Sequence, residues 1–263
     1  MKTYESLLAT ITPTSGETRE VRDPATDELI GTAPEQGLPE LHAAIDRAEA
    51  AQPAWAALSD AERVAYLHKA ADAIEASSEA LAELLSREQG KPLNGPNARF
   101  EVGGCVVWTR TSADTPLPVE VLVDDESGYA EMHYRPIGVV GAISPWNWPM
   151  MISIWQIAPS LRMGNTVVIK PAETTSLSVL ALVTVMNQVL PEGVLNIVTG
   201  PGSVVGDALT KSPKIGKTMF TGSTAVGKRS IEASAANVTP LTLELGGNDA
   251  GIVLPDVDPA EIA

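Results

Sequence analysis

The sequence predicts an α/β fold: a parallel sheet with helices on both faces, preceded by a helical N-terminal segment and interrupted by a protruding β-hairpin. Three observations carry this. From Ile137 onward short apolar runs alternate with helical patterns, the arrangement that produces a parallel sheet covered on both sides. Before that, residues 39–110 show helical spacing. Between the two, residues 119–136 show strand-like alternation around a polar turn.

In the helical part, Ser59-Asp60-Ala61-Glu62 has the capping-box pattern, and Val64, Leu67, Ala71 and Ile74 follow at helical intervals. Ser78 is expected to cap a second helix carrying Leu81, Leu84 and Leu85, with Gly90 as its stop. A third starts near Asn97 and carries Phe100, Cys105 and Trp108. In the hairpin, Val119, Val121 and Val123 alternate with other residues before the turn Asp124 to Gly128. Such an arm commonly contacts another surface. The sheet strands are expected at 138–144, 166–170, 195–198, 217–221 and 241–245, with helices starting near Met151, Ser176, Ser203 and Thr224.

Bulk properties narrow the function. The 263 residues are 44% hydrophobic and 19% charged, as in an ordinary globular protein. Eighteen basic against 33 acidic residues leave a formal charge of −15, which argues against nucleic acid or an anionic membrane as partner. The single cysteine, Cys105, excludes an internal disulfide, and the three dispersed histidines suggest no zinc site. No secretory signal or membrane-length apolar run is evident, so a cytoplasmic location is expected.

Ligands of parallel sheets bind beyond the carboxyl ends of the strands, and the unusual residues fall there. Ser144-Pro145-Trp146-Asn147-Trp148-Pro149 is stiffened by two prolines. Asn147, between two tryptophans and so partly screened from water, is either an oxyanion donor or an ordinary turn residue. Lys170 ends a strand, and Glu173 is placed to accept hydrogen bonds from ribose hydroxyls and to repel a 2′-phosphate, or else to serve as a helix N-terminal acid. Gly200-Pro201-Gly202-Ser203-Val204-Val205-Gly206 is a glycine run one residue longer than the usual dinucleotide fingerprint. Phe220-Thr221-Gly222-Ser223 leads into a helix whose N-terminus suits pyrophosphate. Gly222 to Lys228 also matches the start of a triphosphate-binding loop, but Arg229 stands where that loop needs Ser or Thr for magnesium. Glu244 ends an apolar strand before Gly246-Gly247 and is a general base in an apolar setting or a solvent-facing acid.

Taken in order, these turns resemble the aldehyde dehydrogenase superfamily. The resemblance runs over nearly the whole chain and includes Glu88-Gln89-Gly90-Lys91-Pro92, Pro145 to Pro149, Gly164 to Glu173, Phe220 to Ser223 and Glu244 to Gly247. It implies a Rossmann-like dinucleotide-binding domain over 1–118 and 137–247, an oligomerisation hairpin over 119–136, and the opening of a catalytic domain at 248–263. Asn147 then resembles the oxyanion-stabilising asparagine and Glu244 the general base. Lys170 and Glu173 resemble the adenosine-ribose ligands, and Gly222 and Ser223 the pyrophosphate turn. Gly202 and Gly206 resemble the glycines near adenosine, and Ile143, Ser144, Pro145 and Trp146 the strand end lining the cofactor cleft. Trp148 stands where the family often has Phe.

The implied reaction oxidises an aldehyde to a carboxylic acid with NAD, or NADP, as hydride acceptor, through a cysteine thiohemiacetal and thioester, in a homo-oligomer. The family places that cysteine beyond the Glu244 motif. The chain is therefore expected to be a fragment of an active, NAD-dependent aldehyde dehydrogenase, itself inactive as given, with a non-catalytic NAD-binding fragment or an inert truncated remnant as the alternatives.

Overall fold

The structure is a computed structural model that describes residues 3–11, 16–258 and 260. The ends of the expected 248–263 segment, at 259 and 261–263, lie outside the described residues, as do residues 1 and 2 of the N-terminus. In chain order the elements are α1 (Tyr4–Leu8), β1 (Thr18–Arg22), β2 (Leu29–Pro34), α2 (Leu38–Ala57), α3 (Asp60–Glu75), α4 (Ser78–Gln89) and α5 (Ala98–Asp114). They continue with β3 (Glu120–Asp125), β4 (Gly128–Met132), β5 (Val139–Ile143), α6 (Pro149–Arg162), β6 (Thr166–Lys170), α7 (Ser176–Met186) and β7 (Leu195–Ile197). The last are α8 (Asp207–Lys211), β8 (Ile215–Thr221), α9 (Thr224–Ser234) and β9 (Leu241–Glu244).

The main sheet is parallel, in the order β7-β6-β5-β8-β9. The chain runs outward from β5 through β6 to β7, then returns to the other side of β5 with β8. This reversal places the topological switch point between β5 and β8, where such sheets open a crevice for ligand.

Alternation along the strands sorts residues to the two faces. Val140, Ala142, Val167 and Ile169 join a core with α3 to α7, whereas Val139, Val168 and Ile215 join α2 and α8 through Ile45 and Leu209. Every residue of β6 is buried, as both-sided coverage requires. Gly141 is held small by the second face: a Cβ there would lie 3.2 Å from Leu209.

The local signals act as the sequence predicts at several ends. Ser59 Oγ accepts the Glu62 amide at 3.3 Å, and Glu62 accepts the Ser59 amide at 2.7 Å. Gly90 ends α4 with φ 75°, the left-handed region glycine enters without strain. Other expectations are corrected. The N-cap of α4 is Ser77, so Ser78 is its first helical residue. Helix α6 starts at Pro149, two residues before Met151, because proline suits the first helical turn. No regular helix starts at Ser203: Gly202–Gly206 is a π-helical turn that leads into the short α8. The β3–β4 turn is shorter than its polar residues suggest, with Asp125 opposite Gly128 and only Glu126 and Ser127 between. Asp125 closes it by accepting the Ser127 amide at 2.7 Å. The arm is exposed on both faces, with Val121, Leu122 and Tyr129 more than half accessible.

Two buried carboxylates of the helical layer are used as caps for sheet helices. Glu88, at the end of α4, accepts the Leu177 and Ser178 amides at 2.7 and 2.8 Å, satisfying the start of α7. Burial pushes its pKa up to about 7 from 4.5, against the opposing pull of the same amides. The folded chain therefore holds this proton to higher pH than the unfolded chain. Stability from this group is greatest below the ordinary value of 4.5 and declines as pH rises toward about 7, by ~3 kcal/mol at most. Urea midpoints from pH 5 to 8 should show this decline as the difference between the unsubstituted chain and Glu88→Gln. Parallel curves for the two would contradict it.

Candidate functional site

Parallel register brings the predicted strand-end residues to one edge. Ile143 lies opposite Lys170 on one side and Phe220 on the other, and Thr221 lies opposite Glu244. Gln156 of α6 ties this edge together from below, its amide donating to the Ile143 carbonyl at 3.2 Å and to Thr221 Oγ1 at 3.3 Å. Ser144 is buried, its amide donating to the Lys170 carbonyl at 3.1 Å and its hydroxyl meeting that of Ser153 at 3.0 Å.

A cavity of about 650 Å³ opens at this edge, within the usual size for a small-molecule or cofactor pocket. Six of the predicted residues line it: Ile143, Lys170, Glu173, Gly202, Gly206 and Phe220. Ser144, Pro145, Trp146, Thr221, Gly222 and Ser223 do not, and sit along the same edge outside it. Sequence reasoning missed Pro201, Ser203, Asp207 and Thr210 on one wall and Val226, Arg229, Ser230 and Ala233 on the other. The latter four recur at helical intervals in α9, a signal present in the sequence, where Arg229 was weighed only against a magnesium-binding Ser or Thr.

Lys170, Glu173 and Gly202 form a compact polar cluster. The Lys170 ammonium donates to the Pro171 carbonyl at 2.8 Å, and burial lowers its pKa against the pull of Glu173 and Glu35. Glu173 is exposed and accepts the Gly202 amide at 2.9 Å. It sits at the start of a short 3₁₀ turn before α7, so its two proposed roles, polar ligand and helix-terminal acid, coincide in place. A Cβ on Gly202 would point between Glu173 Oε1 at 3.9 Å and Lys170 Nζ at 4.0 Å. The glycine therefore keeps a cradle open beside a carboxylate and an ammonium, which is space for a hydroxylated ligand. Gly200 has a different reason. Its φ is +131°, and a Cβ would come within 2.2 Å of the Gln36 carbonyl, so only glycine fits.

At the start of α9, Ser223 is the N-cap, its Oγ accepting the Val226 amide at 3.3 Å. Its hydroxyl hydrogen remains available to a ligand. A Cβ on Gly222 would lie 2.7 Å from the Phe220 ring, so a side chain there needs that ring to move.

The tryptophan turn departs from expectation. Asn147 is exposed, and Trp146 is 63% accessible, so the flanking rings do not screen the amide in this chain. The turn is instead fixed through its backbone. Gln89 donates to the Trp146 and Asn147 carbonyls, both at 2.7 Å, and Lys91 donates to the Asn147 carbonyl at 3.1 Å. Lys91 also lies 4.3 Å over the Trp148 ring and pairs with Glu101 at 2.6 Å. Glu101 is fully buried, and its other oxygen accepts the Met150 and Met151 amides at 2.8 and 3.1 Å. The segment Glu88 to Pro92 therefore works as a bracket for this turn. Its signal in the sequence was a carboxylate, Glu101, on a helix otherwise carrying Val102, Cys105 and Val106 inward.

Glu244 is likewise exposed, and its carbonyl accepts the Gly222 amide at 3.0 Å. The apolar surroundings expected for it are not supplied by the described residues, because β9 is an edge strand. Cys105 is buried, and burial and the nearby Glu101 carboxylate push its thiol well above the ordinary range, which removes the thiolate a nucleophile needs.

The aldehyde dehydrogenase family model matches residues 11–263. The chain belongs to the aldehyde dehydrogenase family. Among its relatives, acetaldehyde dehydrogenase 2 of Cupriavidus necator is 37% identical over 99% of this chain and 52% of its own length. Phenylacetaldehyde dehydrogenase of Pseudomonas fluorescens is 39% identical over 95% and 52%. The chain thus spans about half the length of these relatives. Among solved structures, an NAD⁺ complex of a Bacillus cereus aldehyde dehydrogenase aligns with TM-score 0.87 and 35% identity over 94% of this chain and 51% of that one. An NADP-dependent enzyme of E. coli aligns with TM-score 0.85 and 35% identity over 90% and 50%. The Rossmann-like α/β fold is therefore the aldehyde dehydrogenase one, in its N-terminal portion.

Proposed function

We propose that this chain binds a nicotinamide dinucleotide, NAD in preference to NADP, in the cavity beyond the switch point. In the whole protein it would serve oxidation of an aldehyde to a carboxylic acid. The observation that carries the reading is the Lys170, Glu173 and Gly202 cluster, an ammonium and a carboxylate beside a space kept open by glycine. Lys170 has donors left after its bond to Pro171, and Glu173 has an oxygen left after its bond to Gly202, so together they suit ribose hydroxyls. Gly206 widens the same space. Gly222 and Ser223 at the start of α9 suit pyrophosphate, and Ile143, Ser144, Pro145, Trp146, Phe220 and Thr221 form the edge along which the rest of the dinucleotide lies.

NAD, when bound, supplies a hydride acceptor. Asn147 is assigned to stabilise the developing oxyanion and Glu244 to take a proton from water. Both chemistries work best with bulk water excluded, and both side chains are open to solvent here, so in the whole protein further elements must cover this edge. The exposed β3–β4 arm is assigned to contacts between subunits of a homo-oligomer. Since its one thiol is buried, the chain alone should bind nucleotide without oxidising aldehyde.

Calorimetric titration of the 263-residue chain tests this. NAD should bind roughly 10-fold or more tightly than NADP, a difference of about 1.4 kcal/mol, and Glu173→Gln should narrow the gap by relieving repulsion of the 2′-phosphate. A folded chain with no measurable NAD binding would sink the reading.

A further inference from the structure

We infer that Arg229 covers the base of the bound nucleotide, its planar guanidinium stacking on the adenine ring, and so sets affinity for the adenosine half. The inference rests on the cofactor reading of the cavity and adds a residue that reading does not use. Arg229 shares the α9 face that lines the cavity with Val226, Ser230 and Ala233. It is exposed and makes no hydrogen bond or ion pair with any described residue, unlike Arg22, Arg99, Arg110 and Arg162, which all rest on carboxylates. Of the two carboxylates in the same cavity, Asp207 is held by Lys211 at 2.8 Å and Glu173 accepts the Gly202 amide at 2.9 Å. The guanidinium is therefore free to engage a ligand.

The position follows from the walls. With the ribose at Lys170 and Glu173 and the phosphates at the start of α9, the space left for the base lies between α9 and the turn from Pro201 to Gly206. That turn presents two glycines and a proline, a flat wall without long side chains. Val226 and Ala233 make the facing wall apolar on either side of Arg229. Small residues on one wall and a guanidinium on the other suit a planar aromatic ring, on which arginine stacks well and lysine does not.

Calorimetry with adenosine 5′-monophosphate, its 2′-phosphorylated form and ribose 5-phosphate tests the assignment on the unsubstituted chain, Arg229→Ala and Arg229→Lys. Adenosine monophosphate should bind about 5- to 10-fold more weakly to both variants, and ribose 5-phosphate should bind all three chains equally. Full retention of adenosine monophosphate affinity by Arg229→Ala or by Arg229→Lys overturns stacking. So does a loss confined to the 2′-phosphorylated ligand, which would make Arg229 a phosphate contact. If the unsubstituted chain binds neither NAD nor adenosine monophosphate, the cofactor reading falls and this assignment with it; if it binds them and only the variants are indifferent, Arg229 alone is misassigned.

Discussion

Replacing Glu101 by alanine should destabilise the folded chain by about 3–5 kcal/mol, read from urea unfolding midpoints. The size follows from what Glu101 serves. Fully buried, it accepts two amides at the start of α6 and holds the ammonium of Lys91. Truncation leaves two buried donors without acceptors and a largely enclosed cation without its partner, and each omission is costly. Glu101→Gln retains an acceptor while losing the charge and should fall between the two. Because Lys91 also touches the Asn147 carbonyl and the Trp148 ring, the alanine variant should alter tryptophan emission before global unfolding. A cost below about 1 kcal/mol would mean that water replaces the carboxylate readily, and that the bracket on the tryptophan turn is dispensable.

Gly202→Leu should weaken NAD binding roughly 100-fold, about 2.7 kcal/mol, while leaving the unfolding midpoint close to that of the unsubstituted chain. The two halves of this result come from one geometry. Beyond its own stretch of chain, the nearest atoms to the Cβ position are Glu173 Oε1 at 3.9 Å and Lys170 Nζ at 4.0 Å, so the fold has room for a side chain. The room is the cradle between Glu173 and Lys170 that the ligand needs. Gly200→Ala provides the contrast, since there the obstacle is the Gln36 backbone and a positive φ. That variant should lose stability first. Unchanged NAD affinity in a folded Gly202→Leu chain would place the ligand elsewhere.

Much of the sheet was legible because its strands are short apolar runs ended by glycine or proline, and β6 was read with its exact bounds. The five turns were legible for the same reason, as irregular residues between regular ones. What escaped depends on distance in sequence. The β1–β2 hairpin has only Val21, Ala33 and Pro34 buried along its strands, too few for alternation to stand out. The bracket formed by Gln89, Lys91 and Glu101 joins segments some fifty residues apart, and no local pattern encodes that. Exposure of Asn147 and Glu244 was misjudged because flanking residue types were taken as surroundings. A tryptophan next in sequence to Asn147 points away as readily as toward it, and an edge strand offers its last residue no neighbour on one side. The α9 wall was missed for the opposite reason: its spacing was plain, but the residues carry no chemistry until the opposite wall is in place.

The carboxylate caps have a bearing on where an anion can settle. Of the four helices that follow strands of the main sheet, the three longer ones, α6, α7 and α9, each offer a phosphate the partial positive charge of a helix start. Glu101 already occupies the start of α6 and Glu88 the start of α7. Among the described residues no carboxylate reaches α9, and its first turn carries no acid. The protein has thus filled the starts of two of these three helices with its own carboxyl groups, and a diphosphate arriving at this edge finds the start of α9 open. Orientation of the whole ligand is then decided by elimination, before any contact specific to its base or its sugar is made.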